Sequence, residues 1–276
     1  MKLALCNEVL RHLPFDEQCR LAAAIGCQGL ELAPFTLADD PATLGDADAA
    51  RLRRGAADHG LVISGLHWLL VKPTGLSIAT ADAGVHRRSV DFLARLIGFA
   101  AACGAPLLVH GSPAQRSPAP GQSVTDALAR CEAAWVELAA VAKAHGVVYC
   151  IEPLAASETP VLNTLAEAAA VVDRIGSPAL RTMLDLSAAA QSEAGTPAAV
   201  LRRFLASGHI AHVQLNDRNR RGPGQGDTPV VPALRVLREA GYGGWVALEP
   251  FDYQPDPLAC AAASAAFVRG AWAALA

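Results

Sequence analysis

The stretch HIAHVQLND (209–217) reads as a strand carrying His212, Gln214 and Asn216 at alternate positions. Side chains two apart on a strand share a face, so one face of an otherwise apolar segment presents an imidazole and two amides. It then opens into a loop with Arg218, Arg220 and Arg221 ahead of the Gly/Pro-rich turn GPGQG. Three other strand-like segments close on an acid: Glu152 in VVYCIEP, Asp185 in LRTMLDL and Glu249 in WVALEP. Acids converging from different strands repel and raise each other's pKa unless a cation lies among them. Three carboxylates plus the amide oxygen of Gln214 form an all-oxygen set, which favours the divalent metals Mn²⁺ or Mg²⁺ over Zn²⁺. Carboxylates beside such a cation suit proton transfer next to a carbonyl.

Converging these residues requires a particular scaffold. Eight β-like runs occur along the chain: LALCN (3–7), GLELA (29–33), LVISGLH (61–67), PLLVHG (106–111), VVYCIEP (147–153), LRTMLDL (180–186), HIAHVQLND (209–217) and WVALEP (245–250). Amphipathic helical stretches lie between them, several ending in the glycine that favours a helix C-terminus. Eight β-then-α units in 276 residues predict an α/β fold, a single-domain (β/α)₈ TIM barrel spanning residues 1–276. A doubly wound sheet would show a Gly-rich phosphate turn after its first strand, and none follows LALCN. In a barrel the carboxyl ends of all strands meet at one mouth. The loops after strands 3, 4, 5 and 7 (68–84, 111–124, 153–163 and 217–230) exceed the usual length of about 2 to 6 residues and are expected to carry function.

Composition narrows the class further. Hydrophobic residues make up 52% of the chain, and the formal net charge of −3 gives no electrostatic footprint for nucleic acid. The seven cysteines are scattered without C-x-x-C spacing, which reads as reduced thiols in a cytoplasmic protein. No uncharged apolar run of about 18 residues suggests a membrane span.

CIEPLAASETPVLNTLAEA, MLDLS, HIAHVQLNDRNRRGPGQG and WVALEPF together resemble the sugar phosphate isomerase/epimerase superfamily with its xylose-isomerase-like TIM barrel. Within it they are most similar to the tagatose 3-epimerase and hydroxypyruvate isomerase branches. The resemblance implies metal ligands at Glu152, Asp185, Gln214 and Glu249, catalytic carboxylates at Glu152 and Glu249, and substrate contacts from Glu158 and Arg220. Position 214 is histidine in tagatose-type epimerases and glutamine in hydroxypyruvate-isomerase-like members. One departure is plain: the histidine three residues after the strand 6 aspartate is Ala188 here, which removes a substrate contact.

His67 and His110 both close predicted strands and are expected to reach the mouth as substrate partners, with a buried, hydrogen-bonded histidine as the alternative for either one. His212, one pleat below Gln214, is expected to support the metal ligands. The implied activity is a metal-dependent isomerase or epimerase acting on a ketose or related small hydroxy-carbonyl compound, through a metal-stabilised enediolate. Elimination by a lyase or dehydratase begins with the same proton abstraction. A histidine-rich apurinic endonuclease centre and a non-catalytic subunit are the remaining alternatives. The expected partners are a small sugar or keto-acid substrate, with neither nucleic acid nor membrane, and the fold is compatible with a homo-oligomer.

Overall fold

The structure is a computed structural model that describes residues 1–275. Eight parallel strands, β1 (Lys2–Cys6), β2 (Gly29–Leu32), β3 (Val62–Leu66), β4 (Leu107–His110), β5 (Val148–Ile151), β6 (Leu180–Asp185), β7 (Ile210–Leu215) and β8 (Trp245–Leu248), close in sequence order into one barrel. The ring is completed by β8 pairing with β1, with Leu3 opposite Val246 and Leu5 opposite Leu248. All eight expected strands are present, and each ends one or two residues earlier than its sequence pattern suggests. Glu152, Asn216 and Glu249 therefore sit just past β5, β7 and β8. The N–H groups of Glu152 and Glu249 still donate to the neighbouring strands, at His110 O (3.2 Å) and Leu215 O (3.1 Å). Their side chains are thus anchored by the barrel while the chain turns away into the loops.

Around the barrel lie helices α1 (Phe15–Ala24), α2 (Asp46–Asp58), α3 (Ala83–Cys103), α4 (Pro113–Arg116), α5 (Val124–His145), α6 (Leu165–Ile175), α7 (Leu186–Ser192), α8 (Pro197–Ala206), α9 (Val230–Glu239) and α10 (Pro257–Ala274). Their limits follow local chemistry. Helix α3 starts where Asp82 accepts the Val85 N–H, and α6 starts at a Thr164/Glu167 capping box. Both α3 and α5 stop at a glycine with left-handed backbone, Gly104 (φ 77°) and Gly146 (φ 69°). The inner stripe of α5 buries Cys131, Trp135, Leu138 and Ala142, spaced three or four apart.

Two-residue periodicity sorts the strand side chains between two cores. Leu107, Val109, Cys150 and Met183 form one cluster inside the barrel, and Ala4, Cys6, Trp245 and Ala247 form another. Leu108, Tyr149, Ile151, Leu184 and Leu248 instead join the large core between barrel and helices. Gly29 leaves the space that the Trp245 ring fills, since a Cβ there would lie 3.0 Å from the ring. Continuing the inward parity toward the mouth leads from Gly29 to Glu31, from Gly65 to His67, from Cys150 to Glu152, from Met183 to Asp185 and from Ala247 to Glu249. The barrel interior is therefore apolar below and polar above.

All seven cysteines are free and buried. Among the described residues no helix is long and apolar enough to cross a membrane. Trp135 is fully buried and packs edge-to-face on His110, with ring centroids 6.2 Å apart. Trp135→Ala is expected to lower stability by about 3–5 kcal/mol, read as a shift in the urea midpoint.

Candidate active site

Glu152, Asp185 and Glu249 each offer a carboxylate oxygen, and these oxygens lie within 4.8 Å of one another. All three residues are buried, and each is held by its own surroundings. Asp185 is the N-cap of α7: its Oδ1 accepts the Ala188 N–H (2.7 Å), and its Oδ2 accepts from Asn216 Nδ2 (2.6 Å). Asn216 is fixed in turn by the Ser187 N–H donating to its Oδ1 (2.9 Å). Glu249 Oε1 accepts from Trp68 Nε1 (3.1 Å) and lies 3.0 Å from His67 Nδ1, while His67 Nε2 lies 2.9 Å from Glu8 Oε2. Glu152 occupies the space above Gly111, where a Cβ would come within 2.2 Å of its Oε2. Beneath it, the fully buried Arg116 donates from Nη1 to the carbonyls of Glu152 (2.5 Å) and His110 (3.3 Å), clipping together the ends of β5 and β4.

The electrostatic consequence is strong. Burial, then the charges of Glu249 and Asp185, push Glu152 well above the usual carboxylate pKa. Burial raises Glu249 to about 8 against the opposing pull of His67, and raises Asp185 to about 6 against the donors at Ala188 and Asn216. Burial disfavours the imidazolium of His67, yet Cys6, Glu8 and Glu249 outweigh it and hold the ring's pKa well above its ordinary value. Such a group of acids can hold a divalent cation, which would supply the missing positive charge.

These groups open into a cavity of about 760 Å³, including its open mouth. His67, Glu158, Arg220 and Ala188 all line it, as do Trp68, Ser112, Asn216 and Phe251. Trp68 and Phe251 meet edge-to-face at 6.0 Å, and the Arg220 guanidinium stacks 4.8 Å over Phe251. Trp68, Ser112 and Arg220 are three of the four non-glycine residues with positive φ in the described chain, and such strain gathers at functional sites. The Gly/Pro-rich turn after β7 packs its loop closely: a Cβ on Gly226 would lie 2.3 Å from Asp217 Oδ1, and one on Gly222 would meet Ser264 Oγ.

One expected residue falls elsewhere. His110 does not line the cavity, which corrects its expected role as a substrate contact. It shares the outward parity of Leu108, and its Nδ1 accepts from Tyr149 Oη (2.7 Å) and Trp135 Nε1 (3.3 Å). Burial, helped by Arg116, lowers its pKa to about 3, so the ring is neutral. The histidine-rich centre of the endonuclease alternative loses a member by this turn. Gln214 is fully buried below the cavity wall, opposite Asp185 in the β6–β7 ladder, and its Oε1 has no partner. His212 is one pleat deeper, its Nε2 2.7 Å from Glu31 Oε2.

Sequence reading passed over Glu31, Glu8 and Arg116. Glu31 had a signal, as the lone acid in GLELA on the parity of Gly29. Cys6, Glu8, His67 and Glu249 form a second group with metal-like proximity. There, however, both His67 nitrogens are already engaged by carboxylates.

A closed eight-stranded parallel barrel with an acidic cavity at the carboxyl ends of its strands defines a TIM-barrel protein of the metal-competent kind. The chain belongs to the xylose isomerase-like TIM barrel family, whose sequence profile matches residues 19–271. It is 28% identical over 198 residues to a probable ketose 3-epimerase of Synechocystis sp., covering 68% of this chain and 64% of that relative, which is less than two thirds of the relative's length. Over 264 residues it is 30% identical to a Streptomyces coelicolor protein with a provisional hydroxypyruvate isomerase assignment, covering 90% and 88% of the two chains. Its fold matches a solved L-ribulose 3-epimerase with a TM-score of 0.86 at 22% identity, covering 100% of this chain and 96% of the other. It matches a 3-keto-D-glucoside 4-epimerase from E. coli with a TM-score of 0.83 at 19% identity, covering 98% and 99%.

Two outcomes follow from this geometry. Because Glu249 and His67 carry raised pKa values in the folded state, that state binds more protons than the unfolded chain, and this stabilisation is lost as pH rises through the folded values. His110 acts in the opposite sense, but only below its unfolded value of about 6.5. Chelator-treated protein should therefore lose stability from about pH 6.5 to 8, in urea melts at each pH, and saturating divalent cation should flatten that slope. Gly111→Ala should displace the Glu152 carboxylate and weaken Mn²⁺ binding by about tenfold or more in a titration of the metal-free protein.

Proposed function

We propose that this protein is a divalent-metal-dependent epimerase or isomerase of a ketose or related small hydroxy-carbonyl compound. The observation that carries this reading is the meeting of Glu152 and Glu249, from the ends of the separate strands β5 and β8, with Asp185 at one cavity. Glu152, Asp185, Gln214 and Glu249 would hold the cation. The partnerless, buried Oε1 of Gln214 and the raised pKa values of the three acids support the fit. The all-oxygen donor set suits Mn²⁺ or Mg²⁺. When bound, such a cation stabilises negative charge developing on neighbouring carbonyl and hydroxyl oxygens.

The protein's own groups do the rest. Glu152 and Glu249 take and return the proton beside the carbonyl. Glu249 is restrained through Oε1 by His67 and Trp68, which leaves Oε2 without a protein partner among the described residues. Epimerisation removes a proton from one face of the carbon and delivers it to the other, which suits two acids on separate strands. Arg220 and Glu158 offer donors and acceptors to substrate hydroxyls, and the Trp68–Phe251 wall suits the C–H face of a sugar. Near Ala188 the lining is supplied by Ser157, Ser187 and Gln191, so hydroxyl and amide groups take the place of an imidazole.

The test is incubation of Mn²⁺-loaded protein with a panel of ketoses, keto acids and 3-keto glycosides in D₂O. Deuterium should appear beside the carbonyl with the carbon skeleton intact. Release of a leaving group would replace this reading with elimination, and no exchange from any of the panel would overturn it. Glu152→Gln and Glu249→Gln should each lower turnover by about 10²- to 10⁴-fold while metal still binds. Near-parent turnover in both would mean that the cavity binds without catalysing.

A further inference from the structure

We infer that Glu31 is a positioning residue that fixes which end of the Gln214 amide faces the carboxylates. Glu31, His212 and Gln214 are each fully buried. Gln214 Nε2 donates to Glu31 Oε1 (2.9 Å), His212 Nε2 lies 2.7 Å from Glu31 Oε2, and Gln214 Oε1 has no partner. An ionised carboxylate can only accept hydrogen bonds. The amide must therefore give its NH₂ to Glu31 and turn its oxygen the other way, on the strand where Asp185 is the register partner. The reverse orientation would set two acceptors against each other and offer the cation an NH₂ group with no lone pair to donate.

His212 completes the device. Its Nε2 stands 2.7 Å from Glu31 Oε2, against the carboxylate oxygen that the Gln214 amide does not use. Glu31 thus acts through Gln214, without touching substrate or metal. The polar face of β7 has a division of labour: His212 packs against Glu31, Glu31 sets the orientation of Gln214, and Asn216 holds Asp185.

This inference rests on reading Gln214 as a metal ligand, so its test separates the two. Mn²⁺ is titrated into metal-free protein, and affinity is read from free Mn²⁺ by electron paramagnetic resonance. Glu31→Gln keeps the shape but lets either amide end face the cation, and should weaken Mn²⁺ binding about 10- to 100-fold. The exchanged pair E31Q/Q214E should restore affinity to within a few fold of the parent. In that protein the amide now on β2 donates to one oxygen of the carboxylate now on β7, and the other oxygen faces the cation in either orientation. A role for Glu31 in folding alone would not give this rescue. If Gln214→Ala leaves affinity unchanged, the ligand reading fails and the inference falls with it. If Gln214→Ala weakens binding while Glu31→Gln does not, the inference alone is overturned. Should Glu31→Gln fail to fold, the exchanged pair still decides: a folded E31Q/Q214E protein with Mn²⁺ affinity as low as Gln214→Ala overturns it.

Discussion

Mutual repulsion among Glu152, Asp185 and Glu249 is the constraint around which the upper half of the barrel is arranged. Like charges brought this close out of water are costly unless donors or opposite charge surround them. Each acid has a different answer. Asp185 uses the N-terminus of α7, where free N–H groups and the helix dipole favour negative charge. Glu249 uses His67 and Trp68. Glu152 has the positive charge of Arg116 beneath it and the empty side of Gly111 beside it. The supports come from the loops after β3, β4 and β6, so the loops that shape the cavity also make its charge tolerable.

Much of this was legible because a strand alternates faces every two residues. An acid closing an apolar strand stands out, and Glu152, Asp185 and Glu249 stood out in that way. Glu158 and Arg220 lie in loops, where no periodicity applies, and only their resemblance to a family motif singled them out. His110 was misplaced for a definable reason. In PLLVHG both faces of the strand are apolar, so the sequence does not say which parity points inward, and the structure puts His110 with Leu108 against the helices. Arg116 could not be read at all. Its burial depends on α4, a four-residue helix whose place is set by packing rather than by pattern.

The relation between fold and chemistry is looser. A TM-score of 0.86 at 22% identity with an L-ribulose 3-epimerase shows how much sequence can change while the barrel persists. Function resides in sites carried on such scaffolds, and the site here has features of its own. Alanine stands at position 188, glutamine rather than histidine stands at 214, and the buried carboxylate of Glu31 accepts from that glutamine. The acid framework and the substrate-facing lining can therefore vary separately, the first on strand ends and the second mostly on loops.

The left-handed backbone at Trp68, Ser112 and Arg220 has a kinetic consequence. Non-glycine residues in that region cost about 1–3 kcal/mol each and persist only where their surroundings enforce them. The conformational search that slack loops would undergo on meeting a ligand is thereby completed during folding. A substrate would meet walls that already stand, so its rate of capture would be governed by diffusion through the mouth and by shedding of water. Relaxing any of the three positions with glycine would release local strain and return that search to the binding step, slowing association even where every contact in the final complex survived.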